Sequence, residues 1–92
     1  MLIDIKSTKQ LGNVLKAVRK SQGIRQDDMA DIIGSSHVYV MDVEKGSEGA
    51  NIGGILKLME EMGVKLVIDI PAESIEAVSK ANAINITKDS KP

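Results

Sequence analysis

Apolar residues recur with a helical period over the first two thirds of the chain. Leu11, Val14, Leu15 and Val18 follow an i, i+3, i+4, i+7 spacing, which places them in one stripe along a helix. The pattern predicts a helix from Thr8 to about Gln22. Ser7 or Thr8 opens it, because a hydroxyl can accept from a free N–H of the first turn, and Gly23 closes it. A shorter helix is predicted from about Gln26 to Ile33, with Met29, Ile32 and Ile33 as its apolar positions, Ala30 as a small one and Gly34 as its stop. Asp27 and Asp28 fall in its first turn, where acids complement the helix dipole. Ser36 then caps a third helix, His37 to Lys45, with Val40 and Val43 inward and Gly46 beyond its end. After a polar turn at Ser47 to Ala50, a fourth helix is expected from about Asn51 to Met62, with Ile52, Ile55, Leu56 and Met59 inward and Gly63 after it. Gly53 and Gly54 each cost this helix about 1 kcal/mol relative to alanine, a cost for which the sequence offers no reason beyond close approach to another backbone.

The pattern then changes. Val64 to Ile70 is rich in β-branched residues and ends at Pro71, which reads as a strand. Val64, Leu66, Ile68 and Ile70 would share one face, set over the fourth helix. A lone strand leaves its backbone groups unpaired, and the chain has no second strand of comparable quality. The strand is therefore expected to pair with its own copy in a homodimer. Residues 72–92 are small and polar, with Ile75 and Val78 placed to start a short helix and a disordered end expected from Thr87 to Pro92. The predicted organisation is a helical domain at 1–63, a dimerising strand at 64–70 and a flexible tail at 71–92.

Ninety-two residues make one domain. There is no cysteine and only one histidine, His37, so disulfides are excluded and neither a metal site nor a cofactor is expected. No apolar run is long enough to cross a bilayer, and Met1-Leu2-Ile3-Asp4 does not start a signal peptide. A cytoplasmic protein without membrane contact is expected. Asp27 and Asp28 read as dipole partners rather than a catalytic dyad, since no histidine or nucleophile accompanies them. Glu44 reads as a structural residue bonded within the domain. No catalytic residue is expected.

Twelve basic and thirteen acidic residues leave a net charge of -1, which is unlike a bulk polyanion binder. The distribution differs from the sum. Lys6, Lys9, Lys16, Arg19, Lys20 and Arg25 occur between Asp4 and Asp27 with no acid among them, while Glu60, Glu61, Asp69, Glu73 and Glu76 lie in the second half. A locally basic face can still meet phosphate, because salt screens charges more than about 8–10 Å away.

The most informative unit is Gln26 to Gly46: a short helix, a glycine turn and a capped second helix. Two short helices crossing at a small-residue turn put the second on a protruding edge, where it fits a DNA major groove. Arg25-Gln26-Asp27-Asp28-Met29-Ala30-Asp31-Ile32-Ile33-Gly34-Ser35-Ser36, followed by Val43-Glu44-Lys45-Gly46, resembles the lambda-repressor-like, xenobiotic-response-element type of helix-turn-helix domain. The resemblance runs from about Thr8 to Gly63 and implies an all-α fold of four to five helices. The continuation Leu56 to Val64, leading directly into a strand, is similar to HipB-type antitoxins. That narrower resemblance implies a strand paired across the dimer, repression of the protein's own operon and binding of a HipA-type kinase toxin.

Carried over by position, the resemblance implies that Gln26 holds a phosphate and braces the recognition helix. Ser36, His37 and Val38 would face base edges, Tyr39 the phosphate side, and Met41 and Asp42 the groove. Lys45 would meet the backbone after the helix. Lys20 and Arg25 join this set as basic residues of the preceding segment. Val38, Met41 and Asp42 stand where many members carry Arg, Lys, Gln or Ser. Val38 suits a thymine methyl, and Asp42 can accept from a cytosine amino group. His37 also reads as an exposed cap-turn residue without a role, and Tyr39 as a core aromatic. The expected function is that of a transcriptional repressor that binds a palindromic double-stranded operator as a homodimer. The rivals are a helix-turn-helix regulator without a toxin partner, and an interaction module that has kept the fold but lost DNA binding.

Overall fold

A computed structural model of the chain describes residues 1–81, which form α1 (Thr8–Ser21), α2 (Gln26–Ile33), α3 (His37–Lys45), α4 (Ile52–Met62) and α5 (Ile75–Lys80), with a 3-10 turn at Ala72–Ser74. The starts and stops follow local chemistry. Ser7, Ser36 and Asn51 cap α1, α3 and α4 by accepting from backbone N–H groups of the first turn. Gly34 follows α2 with φ 68°, a left-handed conformation in which a side chain is disfavoured.

α1 packs on α3, and α2 packs on both α3 and α4. Leu15, Met29, Val40 and Leu58 are fully enclosed between them, with Ala30, Ile33, Val43, Met59 and Met62 also buried. This aliphatic and methionine core fits a chain with one aromatic residue. The α1–α3 contact is close enough that a Cβ at Gly12 would lie 2.5 Å from the Val43 carbonyl oxygen and 2.7 Å from that of Glu44. The Thr8 hydroxyl ties the same two helices by donating to the Gly46 carbonyl at 2.8 Å.

Two expectations need correction. The inward face of α4 is Ile55, Leu58, Met59 and Met62, whereas Ile52 and Leu56 are exposed. Both sets satisfy the helical spacing, so the period alone did not fix the phase of a helix that is apolar on most sides. On α2, Ile33 is buried and Ile32 is exposed: Met29, Ala30 and Ile33 span the arc that faces the core, and Ile32, about 100° round the helix from Ile33, falls outside it.

No strand forms among the described residues. The Val64 N–H donates to the Met59 carbonyl at 2.8 Å, so Val64 closes α4 instead of opening a ladder. Lys65 to Asp69 are exposed, including the apolar Leu66, Val67 and Ile68. A single chain offers this segment no edge to pair with. α5 carries Ile75 and Val78; the end expected to be disordered, Thr87 to Pro92, lies outside the described residues.

Candidate nucleic-acid interface

α2, the turn at Gly34-Ser35 and α3 form the helix-turn-helix unit. Val40 and Val43 face inward and leave the opposite side of α3 to solvent. The opening of α3 presents Ser36, His37 and Val38, all exposed. The Ser36 Oγ accepts from the Tyr39 N–H at 3.0 Å, which leaves its own hydrogen free to donate. Asp42 and Lys45 are also exposed further along the helix, and Met41 is half-buried.

A chain of side-chain hydrogen bonds runs from the core to this opening. Arg19 donates from Nε to Glu44 Oε2 at 2.6 Å and from Nη2 to Glu44 Oε1 at 2.9 Å. Its Nη1 also donates to the Ile24 carbonyl at 2.7 Å, so a single guanidinium holds α1, the α1–α2 turn and α3 together. Burial pushes the Glu44 carboxyl up. The hydrogen bonds from Arg19 and Gln26, together with the charges of Arg19 and Lys16, outweigh that and hold it below the ordinary carboxylate range. Gln26 Nε2 donates to Glu44 Oε1 at 2.9 Å, and Gln26 Oε1 meets His37 Nε2 at 2.9 Å. Gln26 is thus fixed at both ends of its amide, and its nitrogen keeps one hydrogen for a further acceptor.

Tyr39 is held differently from a free phosphate contact. Its ring packs against the core, and its hydroxyl donates to the Asn51 carbonyl at the start of α4. Burial pushes the phenol up, against a smaller opposite effect from the backbone hydrogen bond of Ile55, so it remains a donor. Gly54 lies over the ring: a Cβ there would be 2.6 Å from Cζ and 2.8 Å from Cε2. At Gly54 the close approach is therefore to an aromatic ring, not to another backbone, and at Gly53 it is to the Asn51 side chain, whose Oδ1 would lie 3.0 Å from a Cβ.

The basic segment is less free than its composition suggests. Lys6 pairs with Asp4 at 3.2 Å, and the exposed Arg25 pairs with Asp27 at 2.9 Å. Arg19 is buried against Glu44 and cannot reach a phosphate. Lys9, Lys16 and Lys20 are exposed and form no ion pair among the described residues. The pairing of Arg19 with Glu44 was not expected from the sequence, although a signal was present. Each sits four residues after an enclosed apolar residue, Leu15 or Val40, and the two charges are opposite. Among the described residues no cluster of three or more His, Asp or Glu side chains is arranged to hold a metal ion, and no helix is long and apolar enough to cross a membrane.

Comparison with known proteins agrees with this geometry. The model of a helix-turn-helix family matches residues 15–68, more than half of the chain. A relative in Sinorhizobium fredii, the uncharacterised HTH-type transcriptional regulator y4mF, is 33% identical over 69 residues, covering 75% of this chain and 91% of its own length. Among solved structures, a chain of the HipA-HipB-O2-O3 complex superposes with a TM-score of 0.69 at 22% identity, covering 75% of this chain and 97% of that one. The HipB-O4 20mer complex gives the same figures: TM-score 0.69, 22% identity, 75% of this chain and 97% of that one. At that identity the likeness is one of fold.

Proposed function

The chain belongs to the helix-turn-helix family, and from that premise we propose that it is a homodimeric repressor, the antitoxin half of a HipBA-like pair that occupies a palindromic operator of its own operon. The family makes it a DNA-binding transcriptional regulator and not an enzyme. The observation that supports the specific reading most is the bracing of α3: Gln26 is fixed between Glu44 and His37, so the end of the helix that enters a groove is held against the core. Two such helices about 34 Å apart would enter successive major grooves and exclude polymerase.

Ser36, His37 and Val38 read base edges in this proposal, with Met41 and Asp42 further along the groove. Gln26, Lys20, Arg25 and Lys45 meet phosphates. Tyr39 contributes by anchoring α4 under the recognition helix, since its hydroxyl is already committed to Asn51. The dimer forms through residues 64–70, with Leu66 beside the exposed Leu56 in a shallow groove that Met59 and Val64 also line. The kinase partner rests on the resemblance of residues 56–64 to HipB-type antitoxins.

The test is retardation of a double-stranded fragment from upstream of the protein's own gene, with log affinity falling linearly as log salt rises. Lys20→Ala and Lys45→Ala should weaken binding to all sequences alike. No retardation at low salt overturns the repressor reading. Purification from the native host without a co-purifying kinase removes the antitoxin assignment alone. A second reading, an interaction module that no longer binds DNA, draws on the neutralisation of Lys6, Arg19 and Arg25 by Asp4, Glu44 and Asp27. The same retardation experiment separates the two.

A further inference from the structure

The polarity of the chain of hydrogen bonds ending at His37 has a chemical consequence. Glu44 is ionised against Arg19, and a carboxylate only accepts. The Gln26 amide must therefore turn its NH2 toward Glu44, as the 2.9 Å contact has it, and its oxygen toward His37. The reversed amide would set oxygen against carboxylate. An amide oxygen also only accepts, so His37 Nε2 must carry the hydrogen of the 2.9 Å contact. In the neutral ring the second nitrogen, Nδ1, is then a bare acceptor. It has no partner among the described residues, and His37 stands exposed at the first turn of α3.

We propose that Gln26, oriented by the buried Arg19–Glu44 pair, fixes His37 with Nε2 inward and protonated, so that Nδ1 reads an exocyclic amino group on the major-groove edge of a base, adenine N6 or cytosine N4. Guanine offers N7 and O6 on that edge and thymine offers O4, and all three are acceptors, which a bare Nδ1 does not satisfy. Gln26 is a positioning residue here, acting through the ring it orients. The inference rests on the proposed operator binding and adds the class of base edge that one residue selects.

Two measurements separate this inference from that reading. His37 is the only histidine, so nitrogen-15 spectra of the imidazole in the DNA-free protein are unambiguous. At a pH where the ring is neutral, the wild type should show a single Nε2–H form, and Gln26→Met should show a measurable fraction of Nδ1–H in a protein that still melts cooperatively. A wild-type ring carrying its hydrogen on Nδ1, or a tautomer ratio unchanged by Gln26→Met, overturns the assignment whether or not DNA is bound.

On the retarded upstream fragment, each adenine is then replaced by purine and each cytosine by 2-pyrimidinone, which removes only the amino group. One position per half-site should lose about three- to tenfold in affinity with the wild type, the size of one hydrogen bond, and nothing further with His37→Ala. Coupling of His37 instead to 7-deazaguanine substitution, or to no position while the fragment is still retarded, overturns the reader and leaves the repressor standing. Failure to retard any fragment overturns both the repressor and the reader.

Discussion

Arg19 and Glu44, twenty-five residues apart, form a two-pronged ion pair with both side chains buried, Nε to Oε2 at 2.6 Å and Nη2 to Oε1 at 2.9 Å. Removing one partner leaves the other charged and out of water, which costs about 3–5 kcal/mol. A domain of this size has roughly 5–10 kcal/mol in total. Glu44→Ala or Arg19→Ala should therefore unfold much of the population near room temperature. The double variant Arg19→Met with Glu44→Leu buries no charge and should be clearly more stable than either single change. Urea denaturation of the three proteins checks this. Equal destabilisation of all three would mean that packing, not charge, sets the loss.

The pair also predicts acid sensitivity. The Glu44 carboxyl is held below its ordinary value in the folded protein, so the folded state binds its proton less readily than the unfolded chain does. The stabilisation is fully present above the unfolded value, about 4.3, and is lost as pH falls through the lower folded value. Denaturant midpoints should thus decline below about pH 4.3, and the decline should be shallower in the Arg19→Met, Glu44→Leu protein. Parallel pH curves for the two proteins would contradict the assignment.

Much of the helical frame was legible because its signals are local. The caps Ser7, Ser36 and Asn51 and the glycines at 34, 46 and 63 each act within a few residues, and all six flank helices in the structure. What pattern could not settle was tertiary choice. α4 has two overlapping stripes of correct spacing, Ile52-Ile55-Leu56-Met59 and Ile55-Leu58-Met59-Met62, and packing against α2 and α1 selects the second. Nothing in the apolar pattern marks Gly12, whose close approach to the Val43 and Glu44 carbonyls is made across the fold. The Gln26 to His37 contact spans eleven residues. The resemblance anticipated a brace at Gln26, but its polarity depends on the ion pair behind it.

Gly54 gives a prediction opposite to helix propensity. Alanine in an exposed helical site normally gains about 1 kcal/mol over glycine. Here the new Cβ would fall 2.6 Å from Tyr39 Cζ and 2.8 Å from Cε2, so the ring must leave the Asn51 carbonyl or α4 must lift. Gly54→Ala should lower the melting temperature, because overpacking costs about 1–3 kcal/mol of stability. Combined with Tyr39→Leu, the same substitution should be neutral or stabilising relative to Tyr39→Leu alone. A Gly54→Ala protein that melts above wild type would show that the ring yields at no cost.

The dimer prediction comes from surface that a single chain leaves uncovered. Leu66, Val67 and Ile68 are 57%, 62% and 74% exposed, and Leu56 on the adjacent face of α4 is 43% exposed. Leu56, Met59, Val64 and Leu66 line one shallow groove, which places the segment after α4 beside the apolar side of α4 that the core does not use. Val64 donates its N–H to Met59, so pairing with a second copy is open only from Lys65 onward. An antiparallel pair of such segments would satisfy their backbone groups and cover both grooves about a two-fold axis. Proline at 66 removes one donor and fixes φ in the middle of that segment, while no core helix is touched. Leu66→Pro should therefore sediment as a monomer, keep its helical circular dichroism and lose tight binding to a two-half-site operator. It should retain only the weak, salt-sensitive affinity of one helix-turn-helix unit. Leu56→Glu, on the other wall of the groove, should do the same without altering the segment's backbone. If both variants sediment as dimers with unchanged operator affinity, the two-fold axis lies on another face and residues 64–70 do not make the interface.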